Sequence, residues 1–498
     1  MKHFLIIAVA LVLSTDIYSQ NKSDPYQLDY KDVHENMHYN QPLRPQVHYT
    51  PITGQIADPT GLVQYKGQYH MFYMFDLYSK RRGKNKGWGH AVSNDLIHWE
   101  QKPYVTNTVV DNAPGSGSGI VDWNNSLGLK SGPEKTMVVF YTDYGRGPSL
   151  MFSRDAGKTW IRHKENPILP GKGGFRDPVV FWYKPDQSWR MVIYDEPGLS
   201  FYKSDNLVDW DFLSALEDFY ECPDIMHMPV DGDEDNKKWV LVDGNGSYVI
   251  GEFDGTHFHK ESEKKHQNEL FYLNEIRGDT NYYAKDIYAT QSWKNTYEGE
   301  GPFIQMGFMM IKGAPNHDRT WSQQQSFPVE LTLETVNGEL QVLRNPIDAI
   351  KQLRSDPQFW NNETVKPGDN LLEDIRGDVF EIISKIDIGT SEKIVFDIRG
   401  EEAVYNVPEQ ELTFLEQTAK VTPTDNQIKL RFIIDRNSVE IYPNRGEQTF
   451  TRLFYPEEDN MKLGLTSEGG SFTVNEMELY KLESIWLKRE QELGYQRD

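Results

Sequence analysis

Three segments of the chain share one pattern: SNDLIHWE at 93–100, SRDAGKTWI at 153–161 and KSDNLVDW at 203–210. Each follows a run of residues typical of β-strands, places an Asp in a turn and returns through a Trp. The segments recur at intervals of about 50–60 residues, which is the spacing expected of a repeated β-sheet blade. This recurrence predicts a β-propeller.

The residues between and around these segments form short apolar strands. They include GLVQYKGQYHMFYM, which predicts a hairpin with its turn at Lys66-Gly67, and TMVVFYTDYG and FIQMGFMMI. Turns rich in Asp, Gly, Pro and Asn separate the strands, and helical periodicity is nearly absent. We count about five blades between residues 40 and 345. The sequence therefore predicts an all-β protein whose first domain, 40–345, is a five-bladed β-propeller.

A second β-rich region follows the predicted propeller. Residues 346–364 are expected to form a polar linker with a short helix. Beyond it, EKIVFDIRG, IKLRFIIDRNSVEIYPN and FTVNEMELYKL alternate apolar and polar residues with period two and are joined by short turns. This alternation predicts an antiparallel β-sandwich over 365–487.

The chain begins with MKHFLIIAVALVLS, a lysine followed by an apolar run that ends in a polar stretch. This run is too short to span a membrane, so residues 1–19 are interpreted as a secretory signal peptide. No later segment has the roughly 20 apolar residues that a membrane helix needs. We therefore expect a secreted or periplasmic protein without a membrane span.

Composition restricts the possible partners. A net charge of −23 argues against nucleic acid. Aromatic residues make up 13% of the chain and suit the clefts that bind sugars. The histidines show no metal-binding spacing, and the acidic loop at 231–238 is interpreted as a solvated turn. We expect a carbohydrate substrate, no metal and no cofactor, in a monomer or simple homo-oligomer.

Four acids occupy matched positions just before or at the first strand of successive blades. They are Asp58 in ADPTGLV, Asp177 in FRDPVVFW, Glu221 in YECPDIM and Asp286 in KDIYATQSW. The first strand of every propeller blade lines the central axis, so acids distant in sequence are expected to converge there. Proline follows Asp58 and Asp177 directly and Glu221 after one residue, which is expected to hold each backbone extended.

Carboxylates that share one cavity suit glycoside hydrolysis. In a retaining mechanism one acid is the nucleophile and another is the acid/base. Glu221 lies beside Tyr220, Cys222 and Pro223, a less polar setting that favours the acid/base role, whereas Asp58 is the better nucleophile. Cys222, the one cysteine of the chain, is the rival nucleophile, but it lacks a His partner in the sequence and is interpreted as a packed neighbour.

The ordered motifs resemble glycoside hydrolase family 32, the fructan-acting invertases, inulinases and levanases. They are DPTG, WGHAVSNDLIHW, GSGSGIVDWNN, FRDP, ECPD and DIYATQSW. The resemblance implies a propeller followed by a sandwich, and retaining hydrolysis of β-fructosides. It implies that Asp58 is the nucleophile, Glu221 the acid/base and Asp177 the transition-state stabiliser. Arg176 and Ser118 are implied to bind fructosyl hydroxyls.

Several positions around these motifs depart from the pattern of that family. Its Trp, Met and Asn before the nucleophile are Gln55, Ile56 and Ala57 here, and the Asn after Asp-Pro is Thr60. A Gln expected after FY is Met74. Further departures lie at Phe308 and Val329, where the family has Trp and Arg. We assign Gln55, Met74, Trp88 and Asp286 to substrate binding, with a place in the blade core as the alternative for Trp88.

These departures leave two alternatives open beside a fructan hydrolase. One is a hydrolase for a different sugar, because the first-blade sugar-binding residues are altered. The other is a catalytically weak carbohydrate-binding protein on the same scaffold. The presence of Asp58, Asp177 and Glu221 together favours an enzyme.

Overall fold

The computed structural model describes most of the chain after residue 38. The described ranges are 39–76, 86–105, 114–171, 174–244, 246–266, 287–293, 302–309 and 320–486. They all fall in one compact unit that begins at Tyr39. The predicted signal peptide, 1–19, and Asp286 lie outside them. Among the helices found in the described ranges, none has the length and apolar character that crossing a membrane requires.

Within the described ranges, the strands of the N-terminal region form four sheets that comprise five blades, which confirms the predicted propeller. The first three blades are antiparallel sheets in simple chain order. Their strands are β1 (Gly54–Tyr65), β2 (Gln68–Asp76), β3 (Lys86–Ser93) and β4 (Trp99–Lys102); β5 (Gly119–Asp122), β6 (Thr136–Asp143), β7 (Gly147–Ser153) and β8 (Ile161–Arg162); and β9 (Arg176–Tyr183), β10 (Ser188–Asp195), β11 (Gly198–Ser204) and β12 (Asp211–Glu217). A 3-10 helix, Lys184–Asp186, joins β9 to β10.

The fourth and fifth blades are joined into one ten-stranded sheet, and the fifth departs from simple chain order. Their strands are β13 (Asp224–Val230), β14 (Asp233–Val242), β15 (Ser247–Phe253), β16 (Phe258–Lys260) and β17 (Lys265–His266); and β18 (Ile287–Trp293), β19 (Phe303–Met309), β21 (Gln324–Gln325), β22 (Val329–Val336) and β23 (Glu339–Pro346). Between β19 and β21 in the chain lies β20 (Trp321–Ser322). Strand β20 pairs in parallel with β1 of the first blade, so a late segment of the propeller closes the ring.

The three repeated segments form the same turn. In each, a Ser hydroxyl accepts a backbone N–H, at 2.8, 2.9 and 2.8 Å, and the Trp indole donates to the backbone carbonyl three residues before it. Asp95 Oδ1 accepts two further N–H groups in the first turn, and Asn206 replaces the acid in the third. These local hydrogen bonds explain why the pattern is visible in the sequence.

Backbone irregularities cluster where the inner strands meet the central cavity. Register shifts occur in β1 between Ile56 and Pro59, and in β18 between Tyr288 and Gln291. A third occurs in β10 between Val192 and Tyr194, opposite the start of β9. Such bulges bend a strand and redirect its side chains, and they are frequent beside active sites. The backbone of these blades is therefore reshaped beside the cavity.

The segment predicted as a linker is ordered structure. It consists of a 3-10 helix, Asp348–Leu353, and strand β24 (Arg354–Val365), which pairs with the last strand of the chain. Most side chains of β24 are exposed, so the strand shows no apolar alternation and resembles a linker in sequence. The sandwich therefore begins at Arg354, eleven residues before the predicted start at 365.

The sandwich consists of two antiparallel sheets, as predicted. The first contains β24, β25 (Phe380–Asp387), β30 (Gln427–Asp435), β31 (Ser438–Pro443), β32 (Phe450–Leu453) and β34 (Phe472–Leu482), and the second contains β26 (Lys393–Ile398), β27 (Glu401–Asn406), β28 (Glu411–Phe414), β29 (Gln417–Lys420) and β33 (Leu463–Glu468). Their facing side chains bury one apolar core, in which Phe396 and Phe432 meet.

Buried polar contacts join the propeller to the sandwich. Asp435, at the end of β30, accepts the backbone N–H groups of Gln46 and Val47 and lies 2.7 Å from His48 Nδ1. Glu440 lies 3.5 Å from His48 Nε2. Burial alone would lower the pKa of His48, but the hydrogen bonds to Asp435 and Glu440 outweigh it and raise the pKa to about 9.

Candidate active site

A cavity of roughly 180 Å³ opens at one end of the inner strands of the propeller. The residues that line it are Gln55, Ala57, Asp58, Met74, Phe75, Asp76, Tyr144, Asp177, Glu221, Cys222 and Tyr288. Every blade contributes at least one of them, because successive blades bring their inner ends to the same axis. Three of the predicted acids, Asp58, Asp177 and Glu221, therefore share one cavity.

Asp58 is held by the second blade. The hydroxyl of Ser116 donates to Asp58 Oδ2 at 2.6 Å and also lies 3.3 Å from the sulfur of Met74. Two residues further along β1, Thr60 donates its hydroxyl to the carbonyl of Gly117 at 2.9 Å and accepts the N–H of Gly117 at 2.7 Å. These contacts fix the first blade against the second beside the carboxylate.

Asp177 lies deepest of the three, with 3% of its surface exposed. Its backbone has φ of 61°, in the left-handed region, so the extended geometry expected from the following proline is wrong. Asp is among the residues that tolerate this region. The backbone N–H of Asp177 donates to Thr142 Oγ1 at 2.7 Å, and Asp177 Oδ2 accepts the N–H of Cys222 at 3.1 Å. These contacts anchor the left-handed residue on both sides.

Electrostatics in the cavity act on Asp177. Burial raises the pKa of its carboxyl group, and the neighbouring carboxylates of Glu221 and Asp58 raise it further against the opposing effect of Arg176. Like charges that face one cavity cannot all ionise as readily as isolated acids. Burial and like charge therefore act together on the least solvated of the three acids.

Glu221 has a partner on each oxygen. Arg176 Nε lies 2.6 Å from Oε2, and the hydroxyl of Tyr288 donates to Oε1 at 2.5 Å. The guanidinium of Arg176 lies 4.1 Å from the centre of the Tyr194 ring, which orients it. Burial and nearby acids raise the pKa of Tyr288, so its hydroxyl stays protonated and can donate.

Cys222 is packed among the acids. It is 2% exposed and belongs to a small apolar cluster with Ala289 and Phe308. Its sulfur lies 3.4 Å from Asp177 Oδ2. Burial, followed by the charges of Asp177 and Asp58, raises the pKa of the thiol well above its usual value. Since the thiolate is the nucleophilic form, this setting favours the packing role over the rival one.

Two of the predicted substrate-binding residues lie away from this cavity. Trp88 is fully buried, and its indole donates to the carbonyl of Gly115 at 3.2 Å. It therefore lies in the blade core, the alternative given for this residue in the sequence analysis. Ser118 accepts the N–H of Val180 at 2.9 Å and lines a separate cavity among the inner strands, together with Leu62 and Gln291. Ser116, two residues earlier, occupies the place beside Asp58. Both assignments to this cavity are therefore corrected.

Of the residues predicted to bind substrate, Gln55 and Met74 line the cavity, and Arg176 contacts Glu221. The residues that sequence reasoning missed are Asp76, Ser116, Thr142, Tyr144 and Tyr288. Tyr288 stands at the start of β18, the same blade position that revealed the acids. Tyr144 directly follows β6, where no chemical signal separates it from other turn residues.

Comparison with known proteins identifies the family of the chain. The model of the glycosyl hydrolases family 32 N-terminal domain matches residues 48–346, and that of the family 32 C terminal matches residues 349–481. The boundary between the two matches lies at the start of the 3-10 helix that connects the propeller to the sandwich.

Individual relatives support the same assignment. A levanase of Bacillus subtilis (strain 168) is 32% identical over 503 residues, covering 91% of this chain and 72% of the levanase. An extracellular exo-inulinase of Aspergillus awamori is 26% identical, covering 90% of this chain and 96% of that protein. The crystal structure of the exo-inulinase from Aspergillus awamori shows the same fold, with a TM-score of 0.79 at 24% identity, covering 90% of this chain and all of that one. The chain therefore belongs to glycoside hydrolase family 32 and is a glycoside hydrolase.

Proposed function

We propose that this protein is a secreted retaining hydrolase of β-fructofuranosidic bonds in fructans or fructo-oligosaccharides. The observation that carries the proposal is that Asp58, Asp177 and Glu221 line one cavity. The relatives named as levanase and exo-inulinase support fructan as the substrate class. The apolar N-terminal run and a relative described as extracellular support secretion.

In this proposal Asp58 is the nucleophile. Its carboxylate attacks the anomeric carbon of the fructosyl unit as the bond to the leaving oxygen breaks, and a covalent fructosyl ester forms. Ser116 donates to one oxygen of Asp58 and thereby orients the carboxylate for the attack. Ser116 also has Met74 within 3.3 Å, so its hydroxyl has a second acceptor when the charge of Asp58 is consumed.

Glu221 is the acid/base of both steps. It gives its proton to the leaving oxygen in the first step and takes a proton from the attacking water in the second, after which the ester is cleaved and Asp58 is regenerated. Arg176 and Tyr288 hold the two oxygens of Glu221 and thereby fix its position relative to Asp58.

Asp177 is assigned to transition-state stabilisation. A buried carboxylate that accepts sugar hydroxyls strengthens those hydrogen bonds as positive charge develops on the sugar ring. The N–H of Cys222 and the hydroxyl of Thr142 hold this carboxyl group in place. Asp177 thus contributes charge and position, while Asp58 and Glu221 carry out the bond changes.

The decisive experiment measures fructose release from levan, inulin and sucrose by the parent, Asp58→Asn and Glu221→Gln. We expect the parent to release fructose and both variants to lose at least about 10³-fold in kcat. Proton NMR of the first-formed anomer tests retention. If the parent releases no fructose from any of the three, the substrate class is wrong, and binding of the same sugars without turnover would favour the alternative of a catalytically weak carbohydrate-binding protein.

A further inference from the structure

A glycine lies between the backbones of two residues whose side chains meet in the cavity, Glu221 and Tyr288. The N–H of Gly244 donates to the carbonyl of Glu221 at 2.8 Å, and the carbonyl of Gly244 accepts the N–H of Ala289 at 3.0 Å. Ala289 directly follows Tyr288 in β18. We call this pair of hydrogen bonds the Gly244 bridge. It joins the residue that carries the acid to the strand that carries its hydroxyl donor.

Position 244 has no room for a side chain. An added Cβ would lie 2.8 Å from the carbonyl oxygen of Glu221 and 3.0 Å from the Cβ atom of Cys222. Glycine has no Cβ, so it lets two backbone segments approach this closely. The turn that presents Gly244 is held by Asp243, which donates its N–H to the carbonyl of Ser247 at 2.9 Å and accepts the N–H of Ser247 at 3.2 Å. The fourth blade therefore supplies a fixed support for the bridge.

Ala289 has an unusual backbone conformation at the other end of the bridge. Its φ is 50°, in the left-handed region, its side chain is fully buried, and the register of β18 shifts just after Tyr288. This region is unfavourable for alanine, and residues held in it by their surroundings occur frequently at functional sites. A bulge redirects the side chains beside it. In this geometry Tyr288 Oη lies 2.5 Å from Oε1 of Glu221.

Gln291 forms a second link between the same two segments. Its Nε2 donates to the carbonyl of Pro223 at 3.1 Å, and its side chain is buried. The bulge of β18 is thus tied at both ends to residues 221–223. Among the described residues that line the cavity, neither Gly244 nor Ala289 occurs. Contacts behind the cavity lining therefore set the position of Glu221 relative to Tyr288.

We propose that Gly244 and Ala289 are positioning residues, whose bridge keeps the carboxyl group of Glu221 on the hydroxyl of Tyr288 and aims it at the leaving oxygen. This inference rests on the proposed function, in which Glu221 is the acid/base. Proton transfer requires hydrogen-bond reach, so a small displacement of the acid slows protonation of the leaving group. Asp58 is held by the second blade instead, so its attack does not depend on the bridge.

The test separates protonation from attack by changing the leaving group. Sucrose needs a proton on its leaving oxygen, whereas para-nitrophenyl β-fructofuranoside releases nitrophenolate, which leaves without one. For both substrates kcat/KM is measured, because it reports the first bond cleavage. The variants are Gly244→Ala and Ala289→Val, since a β-branched residue is especially unfavourable at a left-handed φ. Glu221→Gln is the reference for lost protonation.

Gly464→Ala is the matched control. Its added Cβ would lie 3.1 Å from the Cβ atom of Asp397 in the sandwich, a contact similar to the one that Gly244→Ala makes with Cys222. It therefore introduces comparable crowding far from the cavity. We expect Gly464→Ala to match the parent with both substrates.

We expect Gly244→Ala and Ala289→Val to lower kcat/KM on sucrose about 10²-fold and to change kcat/KM on the nitrophenyl fructoside less than about threefold. Sodium azide should raise the kcat of both variants on the nitrophenyl fructoside, because this anion attacks without help from a base. A bond forms between azide nitrogen and the anomeric carbon, the ester bond breaks and Asp58 leaves as a carboxylate. Fructosyl azide is the product to detect.

The proposed function and this inference fail in different ways. A parent that cleaves neither substrate, or a Glu221→Gln variant that loses both equally, overturns the proposed function. If Glu221→Gln loses only sucrose, a Gly244→Ala variant with parental kcat/KM, or with equal losses on both substrates and no response to azide, overturns this inference alone. Circular dichroism establishes folding, and Ala289→Val tests the other end of the bridge independently. Failure of both variants to fold would assign the bridge to folding alone and would also overturn the inference.

Discussion

Arg176 holds Glu221 through a 2.6 Å contact between its Nε atom and Oε2 of the carboxylate. The arginine is half-buried and lies against the ring of Tyr194, so its plane is set before substrate binds. A planar guanidinium can stack on a ring and donate sideways at once, which an ammonium group cannot do. The position of the predicted acid/base therefore depends on the shape of Arg176 as well as on its charge.

Arg176→Lys should accordingly lower activity although it preserves the positive charge. We expect kcat/KM on sucrose or levan to fall about 10²-fold, because the carboxyl group of Glu221 is no longer held in one orientation. Arg154→Lys, an exposed arginine of the second blade, is the control and should leave kcat/KM unchanged. A lysine variant with parental kcat/KM would contradict the positioning role.

Asp177 should be costly to the stability of the folded protein. Burial and the neighbouring acids raise its pKa, so the folded state resists its ionisation. This ionisation lowers the free energy of unfolding. The loss is absent below the unfolded pKa of about 3.9, grows as pH rises above it and is complete above the folded pKa. Asp177→Asn should therefore raise the free energy of unfolding at pH 8 by about 1–3 kcal/mol, while abolishing activity. Denaturant unfolding at pH 4 and pH 8 measures the difference.

Asp95 provides a control of opposite sign. Burial would raise the pKa of its carboxyl group, but hydrogen bonds from His98 and from the backbone lower it well below the usual value. A lowered pKa contributes stability above about pH 4 that is lost in acid. Asp95→Asn should thus destabilise the protein at neutral pH. If both variants shifted stability in the same direction, the electrostatic argument for Asp177 would be wrong.

The parts of this fold that the sequence revealed are those encoded by local chemistry. The repeated turns depend on a Ser, an Asp or Asn and a Trp within eight residues, and all their hydrogen bonds are local. The convergence of Asp58, Asp177 and Glu221 followed from one geometric rule, that the first strands of propeller blades line an axis.

Features that depend on contacts between distant segments were not predictable. Ser116 and Ser118 stand in one alternating Gly-Ser run, and only the packing of the second blade decides which one meets Asp58. The left-handed backbone of Asp177 depends on Thr142 and Cys222, which belong to other blades. Strand β24 escaped detection because its side chains are mostly exposed and carry no apolar alternation.

The junction between the propeller and the sandwich should make stability depend on alkaline pH. His48 has a folded pKa of about 9, above its ordinary value of 6.5, through its hydrogen bonds to Asp435 and Glu440. The stability that its charge provides is complete below pH 6.5 and is lost as pH rises through about 9. We expect the free energy of unfolding to fall by about 3 kcal/mol between pH 6 and pH 10.

His48→Gln isolates this contribution. The glutamine still donates a hydrogen bond toward Asp435 but does not titrate, so its stability should be lower than that of the parent at pH 6 and nearly independent of pH up to 10. Denaturant unfolding of both proteins across this range provides the comparison. An equally steep alkaline loss in His48→Gln would assign the effect to other groups.

Tyr144 should bind the part of the substrate that extends from the cavity. Its side chain lines the cavity and is nevertheless 46% exposed, a combination suited to covering the apolar face of a sugar ring. Its ring lies over Gly115, where an added Cβ would come within 2.7 Å of the Tyr144 hydroxyl. Glycine at 115 therefore leaves the space that the ring occupies.

Tyr144→Ala should raise KM about tenfold for fructo-oligosaccharides of three or more units, with a smaller effect on sucrose, because longer substrates extend further past the rim. Tyr144→Phe should retain most of the affinity, and Gly115→Ala should weaken it by displacing the ring. Phe212→Ala, which removes an aromatic ring that is 59% exposed and outside the cavity lining, is the control and should leave every KM unchanged. Equal KM values for Tyr144→Ala and the parent across chain lengths would show that the ring takes no part in substrate binding.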